Sequence, residues 1–177
     1  MKFFNWSSFS HVTESDVTDV LRWIDRMPFR QIAMDGGLAE AFPIESNKVR
    51  SALEILEKFG LISQGRLHID VLELGSAFVQ ADESSRRAFL RLKMLDLIPV
   101  SEILHLLGRS VNGRLSRSVV TAFFREACST RVIESDIENF VRWGVACHLF
   151  GFDRKRQEIV WIQHGRAPNS TQNGRAS

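Results

Sequence analysis

Residues 141–162 read VRWGVACHLFGFDRKRQEIVWI: apolar residues at helical spacing, a glycine, a short apolar run with a second glycine, a charged turn, then alternating apolar residues. Residues 49–69, VRSALEILEKFGLISQGRLHI, follow nearly the same plan about 90 residues earlier. In each, the period changes from that of a helix to that of a strand at a glycine-containing break, which predicts a helix followed by a β-hairpin. Residue identity between the two stretches is low, so the resemblance is one of plan.

Around the first stretch, Val17, Val20, Leu21, Ile24 and Met27 fall on one helical face, with Ser15 or Asp16 as N-cap and Pro28 as the stop. Residues 29–42 surround Gly36 and Gly37 and read as a short helix with a glycine break. Ser46 is placed to cap a helix carrying Val49, Leu53, Leu56 and Phe59, and Gly60 to end it. Residues 61–63 and 66–69 then offer short strands around Gln64-Gly65.

The chain continues through helices with a capping point at Asp82 to Ser85 and an apolar side of Phe89, Leu92, Met94 and Leu95. A helix restarts at Pro99, a loop spans 108–114, and Ser116 caps a helix with Val119, Val120, Phe123 and Phe124 inside. Ser135 caps the last long helix, with Ile137, Phe140, Val141, Gly144 and Val145 facing one way, and residues 149–152 and 158–162 pair as a longer hairpin. The expected fold is mainly α: two winged-helix-like lobes with short β-hairpin wings at 15–72 and 100–163, joined by connecting helices at 73–99. Residues 164–177, which have no aliphatic side chain larger than alanine, read as a disordered tail.

The 177 residues carry 44% hydrophobic and 25% charged residues, a globular composition with no run long enough for a membrane span. Cytoplasmic localisation without membrane insertion is the expectation. Cys128 and Cys147 form no CxxC pair and the five histidines no ligand pattern, so no metal or cofactor is expected. Cys147 and His148 are consecutive and point about 100° apart on a helix, which is no nucleophile–base dyad. Glu134, Asp136 and Glu138 sit at a helix start, where the dipole favours negative charge. No catalytic residue is assigned.

Net charge is +2, so any electrostatic partner must be read from local clusters. Those clusters are Arg86 and Arg87, followed by Arg91 and Lys93, and Arg154, Lys155 and Arg156 at the second wing tip. The two candidate groove-reading helices are not basic: residues 45–59 carry three cations and three carboxylates, and residues 134–148 carry Arg142 against three carboxylates, a net of −2. A helix of that sign is repelled by DNA phosphates.

Residues Leu74, Gly75, Phe78, Ala81 and Asp82, then Arg86, Arg87 and Phe89, and later Trp143, Gly144, Leu149, Phe150 and Asp153, stand where the AAA-associated C-terminal domain has its lGxxFaxAd and dWgRyaelfxYD segments. Over about residues 17–162 the sequence resembles that domain, which is carried by ATP-binding subunits of nitrate, sulfonate and taurine type ABC transporters. It departs at Val145, Ala146 and Phe152, where the resembling pattern has arginine, tyrosine and tyrosine.

The resemblance implies an accessory role beside a transport ATPase, and matches Phe78, Phe89, Phe140 and Trp143 to apolar positions that are read here as core. These residues include no GxxxxGK[ST] loop and no LSGGQ-like signature, so ATP hydrolysis is not expected of them. The reading is a non-catalytic regulatory or protein-interaction module that works with an ABC transporter ATPase or permease subunit. A winged-helix DNA-binding regulator is the alternative, and the oligomeric state is left open.

Overall fold

A computed structural model describes residues 6–27, 42, 44–65, 68–127 and 134–162. The element order is α1 (Ser7–Ser10), α2 (Glu14–Arg26), α3 (Ser46–Lys58), β1 (Ile62–Gln64), β2 (Ile69–Val71), α4 (Glu73–Gln80), α5 (Glu83–Leu95), α6 (Ile98–Arg109), β3 (Arg114–Ser116), α7 (Arg117–Ala127), α8 (Glu134–Ala146), β4 (Phe150–Asp153) and β5 (Glu158–Trp161). The protein is mainly helical with two small antiparallel sheets. One has order β1-β2 and the other β3-β5-β4. The helix and glycine break expected at 29–42, the tail at 164–177 and Cys128 lie outside the described residues, Phe42 excepted.

Both helix-to-hairpin junctions are the same device. After α3, the Gly60 amide donates to Glu57 O at 2.9 Å and the Leu61 amide to Leu56 O at 2.9 Å. After α8, the His148 amide donates to Val145 O at 3.0 Å and the Leu149 amide to Gly144 O at 2.8 Å. Each pair is the double bond of a Schellman cap, which requires the first residue beyond the cap to be left-handed. Gly60 meets this with φ +72° and His148 with φ 53°. The following Leu61 and Leu149 are buried and anchor the strand that leaves.

The first hairpin pairs Ile62 with Val71 and Gln64 with Ile69. Its strands therefore sit one to three residues later than the spacing predicts. The reason is Leu61, whose carbonyl accepts from the Leu72 amide at 3.0 Å and whose side chain belongs to the core. Residues 66 and 67 lie outside the described set. The second hairpin pairs Phe150 with Trp161 and Asp153 with Glu158, within a residue of the expected strands.

Other boundaries need correction. The N-cap of α2 is Thr13, which forms a capping box with Asp16, and α2 closes at Arg26 because Met27, preceding Pro28, is extended (φ −71°, ψ 128°). Glu45, with no side-chain capping bond, stands where Ser46 was expected to cap, while Ser116 is the last residue of β3 and Ser135 lies inside α8. Asp82 does cap α5, accepting from the Ser85 amide at 2.7 Å. The expected loop at 108–114 is instead the end of α6, a turn and the start of β3, a strand that pairs Leu115 with Ile159. Val119, Val145 and Leu92, expected inside, are exposed at 43%, 40% and 63%. At about 100° per residue Leu92 points directly away from the buried Leu90 and Met94, and Val119 and Val145 lie more than about 100° from the centres of their helices' buried sides.

The core is joined from an unexpected direction. Short helix α1 touches both α3 and α8. Trp6 stacks on Phe9 at 4.5 Å and meets Phe124 and Phe140 edge-on at 5.9 and 5.5 Å. Phe9 meets Phe59 at 6.1 Å and Trp143 at 5.2 Å. The Trp143 indole Nε1–H donates to Val12 O at 3.0 Å, and an Arg142 guanidinium N–H donates to the same carbonyl at 3.1 Å. Trp6, Phe9 and Val12 are buried, so an N-terminal aromatic wedge ties both helix-hairpin units into one apolar cluster.

Two stability tests follow from this construction. A Cβ on Gly60 meets no atom within 4 Å, so Gly60→Ala suffers only backbone strain and should lose about 1 kcal/mol. His148→Gly at the equivalent site relieves that strain and should gain about 0.5 to 1 kcal/mol, both read from urea midpoints at constant slope. Phe9→Ala should cost about 3 to 5 kcal/mol, as a core deletion does, although Phe9 lies in a four-residue helix near the N-terminus. A loss below about 1 kcal/mol in the same melts would mean the wedge is not part of the core.

Candidate functional site

The second wing tip is built by Asp153. Its Oδ1 accepts the amides of Lys155 and Arg156 at 3.1 and 3.2 Å, and the Gln157 side-chain amide donates to Arg154 O at 2.7 Å. Gln157 completes the reversal with φ 55°. Local hydrogen bonds thus fold Arg154 to Arg156 into a tight tip whose three side chains are exposed.

Two arginines fix this tip to the body. Arg114 on β3 crosses the sheet to Glu158 Oε2 at 2.9 Å and Asp153 Oδ2 at 3.4 Å. Arg117, at the start of α7, pairs with Glu134, reaches Glu138 at 3.5 Å, and donates to Gln157 Oε1 at 3.1 Å. Its backbone amide also donates to Gln157 O at 2.9 Å. Glu134 and Glu138 are therefore occupied as an ion-pair cage in addition to sitting at a helix start. The Arg156 amide, then the Arg114 guanidinium and the Lys155 amide, hold the Asp153 carboxyl below the usual carboxylate range.

Between α8 and the wing runs a groove of about 660 Å³. Val141, Val145, Ala146 and Phe152 supply its apolar surface, and Arg117, Glu138, Arg142, Arg154 and Gln157 its rims. The sequence reading found the wing cations but missed the groove, because it assigned Val141 and Val145 to the interior. The three positions that depart from the resembling pattern, Val145, Ala146 and Phe152, all line it.

The other basic cluster is committed internally. Arg86 donates to the carbonyl of Ala81, which ends α4, and Arg87 pairs with Glu83 one turn earlier on α5. Both line a second cleft, of about 380 Å³, together with Glu14, Arg22, Glu83 and His148. Lys93 lies over the Phe89 ring at 5.4 Å. The two basic clusters are not brought together: one belongs to α5 and the other to the β4–β5 turn.

Of the four residues read as core, Phe78, Phe140 and Trp143 are buried, and Phe89 is half-buried, edge-on to Phe78 at 5.3 Å. Burial pushes the Cys147 thiol up to about 12, so it holds its proton at neutral pH, while His148 beside it is exposed at the helix end. Among the described residues no cluster of three or more His, Cys, Asp or Glu is spaced to hold a metal ion, and no helix is long and apolar enough to cross a membrane.

A family model, the C-terminal AAA-associated domain, matches residues 37–153. The chain belongs to that family. No curated protein and no solved structure matches the chain. The matched span runs from before α3 to the end of β4, so it includes both Schellman turns and leaves out the wedge and α2. The geometry explains why glycine stands in both motif segments: a Cβ on Gly75 would lie 2.2 Å from Leu61 O, and one on Gly144 1.9 Å from the Phe150 ring.

The depressed carboxyl of Asp153 gives a signed pH dependence. Its stabilisation is complete above the ordinary carboxyl value of about 3.9 and is lost as pH falls through the lower native value. Asp153→Asn, which resembles the protonated acid, should lower Tm at neutral pH, and the gap to wild type should close on acidification. A gap of constant size across the acid range would show that the charge of Asp153 does not matter.

Proposed function

We propose that the chain is a non-catalytic regulatory or protein-interaction module that docks on the ATP-binding subunit or permease of an ABC transporter, with its second unit a winged helix used for protein contact. Membership in the C-terminal AAA-associated family supports an accessory role beside such an ATPase. The observation that carries the surface assignment is the wing tip, where Arg154, Lys155 and Arg156 project from a turn fixed by Asp153 and form no side-chain ion pair among the described residues. Exposed cations on a rigid hairpin steer an acidic partner and set its orientation.

DNA is the poorer fit for the same surface. The helix beside the wing is α8, whose exposed Glu134 and Glu138 share one cation, Arg117, and so present an anionic edge at the N-terminal end of that helix. Phosphates brought to the wing would meet those carboxylates.

A pull-down with the tagged chain, read by mass spectrometry, should capture an ABC ATP-binding subunit or permease. Reversing all three wing charges to Glu should abolish capture while leaving Tm within about 2 °C, since the side chains are exposed. A parallel gel shift at about 0.15 M salt should show only weak, sequence-indifferent binding. Submicromolar, sequence-selective DNA binding that survives competitor would overturn the proposal.

A further inference from the structure

The groove between α8 and the wing has a composition that specifies its occupant. Val145 is 40% exposed, and Val141 and Phe152 are half-buried, so three apolar side chains at the spacing of one helix face and one strand lie open to solvent. Cations flank them on both sides, Arg142 on the helix and Arg154 on the wing, with Lys155 and Arg156 beyond. The lining anion, Glu138, and one lining cation, Arg117, are paired with each other at 3.5 Å. Glu134 shares Arg117 with Glu138, so five cations (Arg117, Arg142, Arg154, Lys155 and Arg156) stand against two carboxylates around the groove, and the net charge there is positive.

We propose that this groove receives an amphipathic helix of a partner protein, with apolar residues one turn apart seated on Val141, Val145 and Phe152 and carboxylates along its flanks meeting Arg154 and Arg142. The assignment rests on the docking role proposed above and names the element the partner contributes. An apolar stripe at i, i+3 or i+4 and i+7 is the complement of a shallow groove of this kind, and its acidic borders complement the rims. A second copy of this chain is the wrong partner, because its equivalent patch would bring Arg154 and Arg142 against the same cations. Nucleic acid supplies the anions but no apolar stripe.

The test uses the full chain and two labelled peptides of about 15 residues, both helical and both carrying the same leucine stripe, one bordered by Glu and one by Lys. Fluorescence anisotropy should show the acidic peptide binding at least about tenfold more tightly. Val145→Glu should remove that binding with Tm unchanged, as an exposed site allows. Arg154→Glu serves as the second variant if Val145→Glu disturbs folding, and should erase the preference between the peptides. Equal binding of both peptides, binding of neither, or indifference to both variants would refute the assignment. So would a dimer in sedimentation that Val145→Glu dissolves, which would give the groove to a second copy, or a DNA shift lost in that variant. Because the peptides are independent of the pull-down, the groove can fail while association with an ATPase stands, and the reverse.

Discussion

One buried indole N–H organises this molecule. Trp143 is fully enclosed, and an unpaired donor at such a site would cost on the order of 1 to 3 kcal/mol. Val12 O is its acceptor at 3.0 Å, and meeting that demand brings the N-terminal segment down across α8. Once Val12 is held there, Phe9 falls onto Trp143 and Phe59, and Trp6 onto Phe124 and Phe140. The wedge is therefore both a hydrogen-bond acceptor for one unit and apolar filling between the two. Arg142 adds a charge-assisted bond to the same carbonyl, which fixes its own side chain against the body and leaves the wing as the freer source of positive charge.

The two units repeat a junction and differ in how it is made. Each Schellman cap turns a helix directly into a hairpin and buries the leucine that follows, which sets the strand direction against the helix. Gly60 takes the left-handed position without a Cβ penalty, whereas His148 takes it with one. Crowding takes different forms at the two sites. In the first unit Gly75 lets α4 approach the Leu61 carbonyl, and in the second Gly144 lets the Phe150 ring lie on α8. Glycine in both family segments is thus a packing requirement of the hairpin base, and says nothing about chemistry.

Much of this was legible in the sequence because the signals are local. Gly60 as a stop, Asp82 as a cap and the β4–β5 hairpin each rest on residues within one turn of each other, where propensity and hydrogen bonding decide. What was missed rests on contacts distant in sequence. Strand β3 is only Arg-Leu-Ser and exists because β5 is there to pair with it. The wedge was unreadable because one aromatic residue at the N-cap of a four-residue helix and one inside it show no period, although Trp6 and Phe9 at i, i+3 flanking Ser7 and Ser8 are a local apolar pair that could have been noticed. Val145 was misplaced for the opposite reason: its helix has a wide apolar stripe, and sequence alone cannot say which edge of the stripe a neighbouring element covers.

The same distinction governs the basic residues. Counted along the sequence, Arg86, Arg87, Arg114, Arg117 and Arg142 are equal in charge to Arg154, Lys155 and Arg156. In the fold the first five are tethered: Arg86 closes the end of α4, three are held in ion pairs, and Arg142 binds the neutral Val12 carbonyl, which places its charge on the groove rim without cancelling it. The wing cations differ because Asp153, the acid nearest in sequence, spends its hydrogen-bonding capacity on the turn backbone and on Arg114. A carboxylate directed inward in this way shapes the tip without neutralising it. The long-range potential outside the second unit therefore comes from a rigid point beside an apolar groove, an arrangement suited to orienting a partner before the apolar surfaces meet.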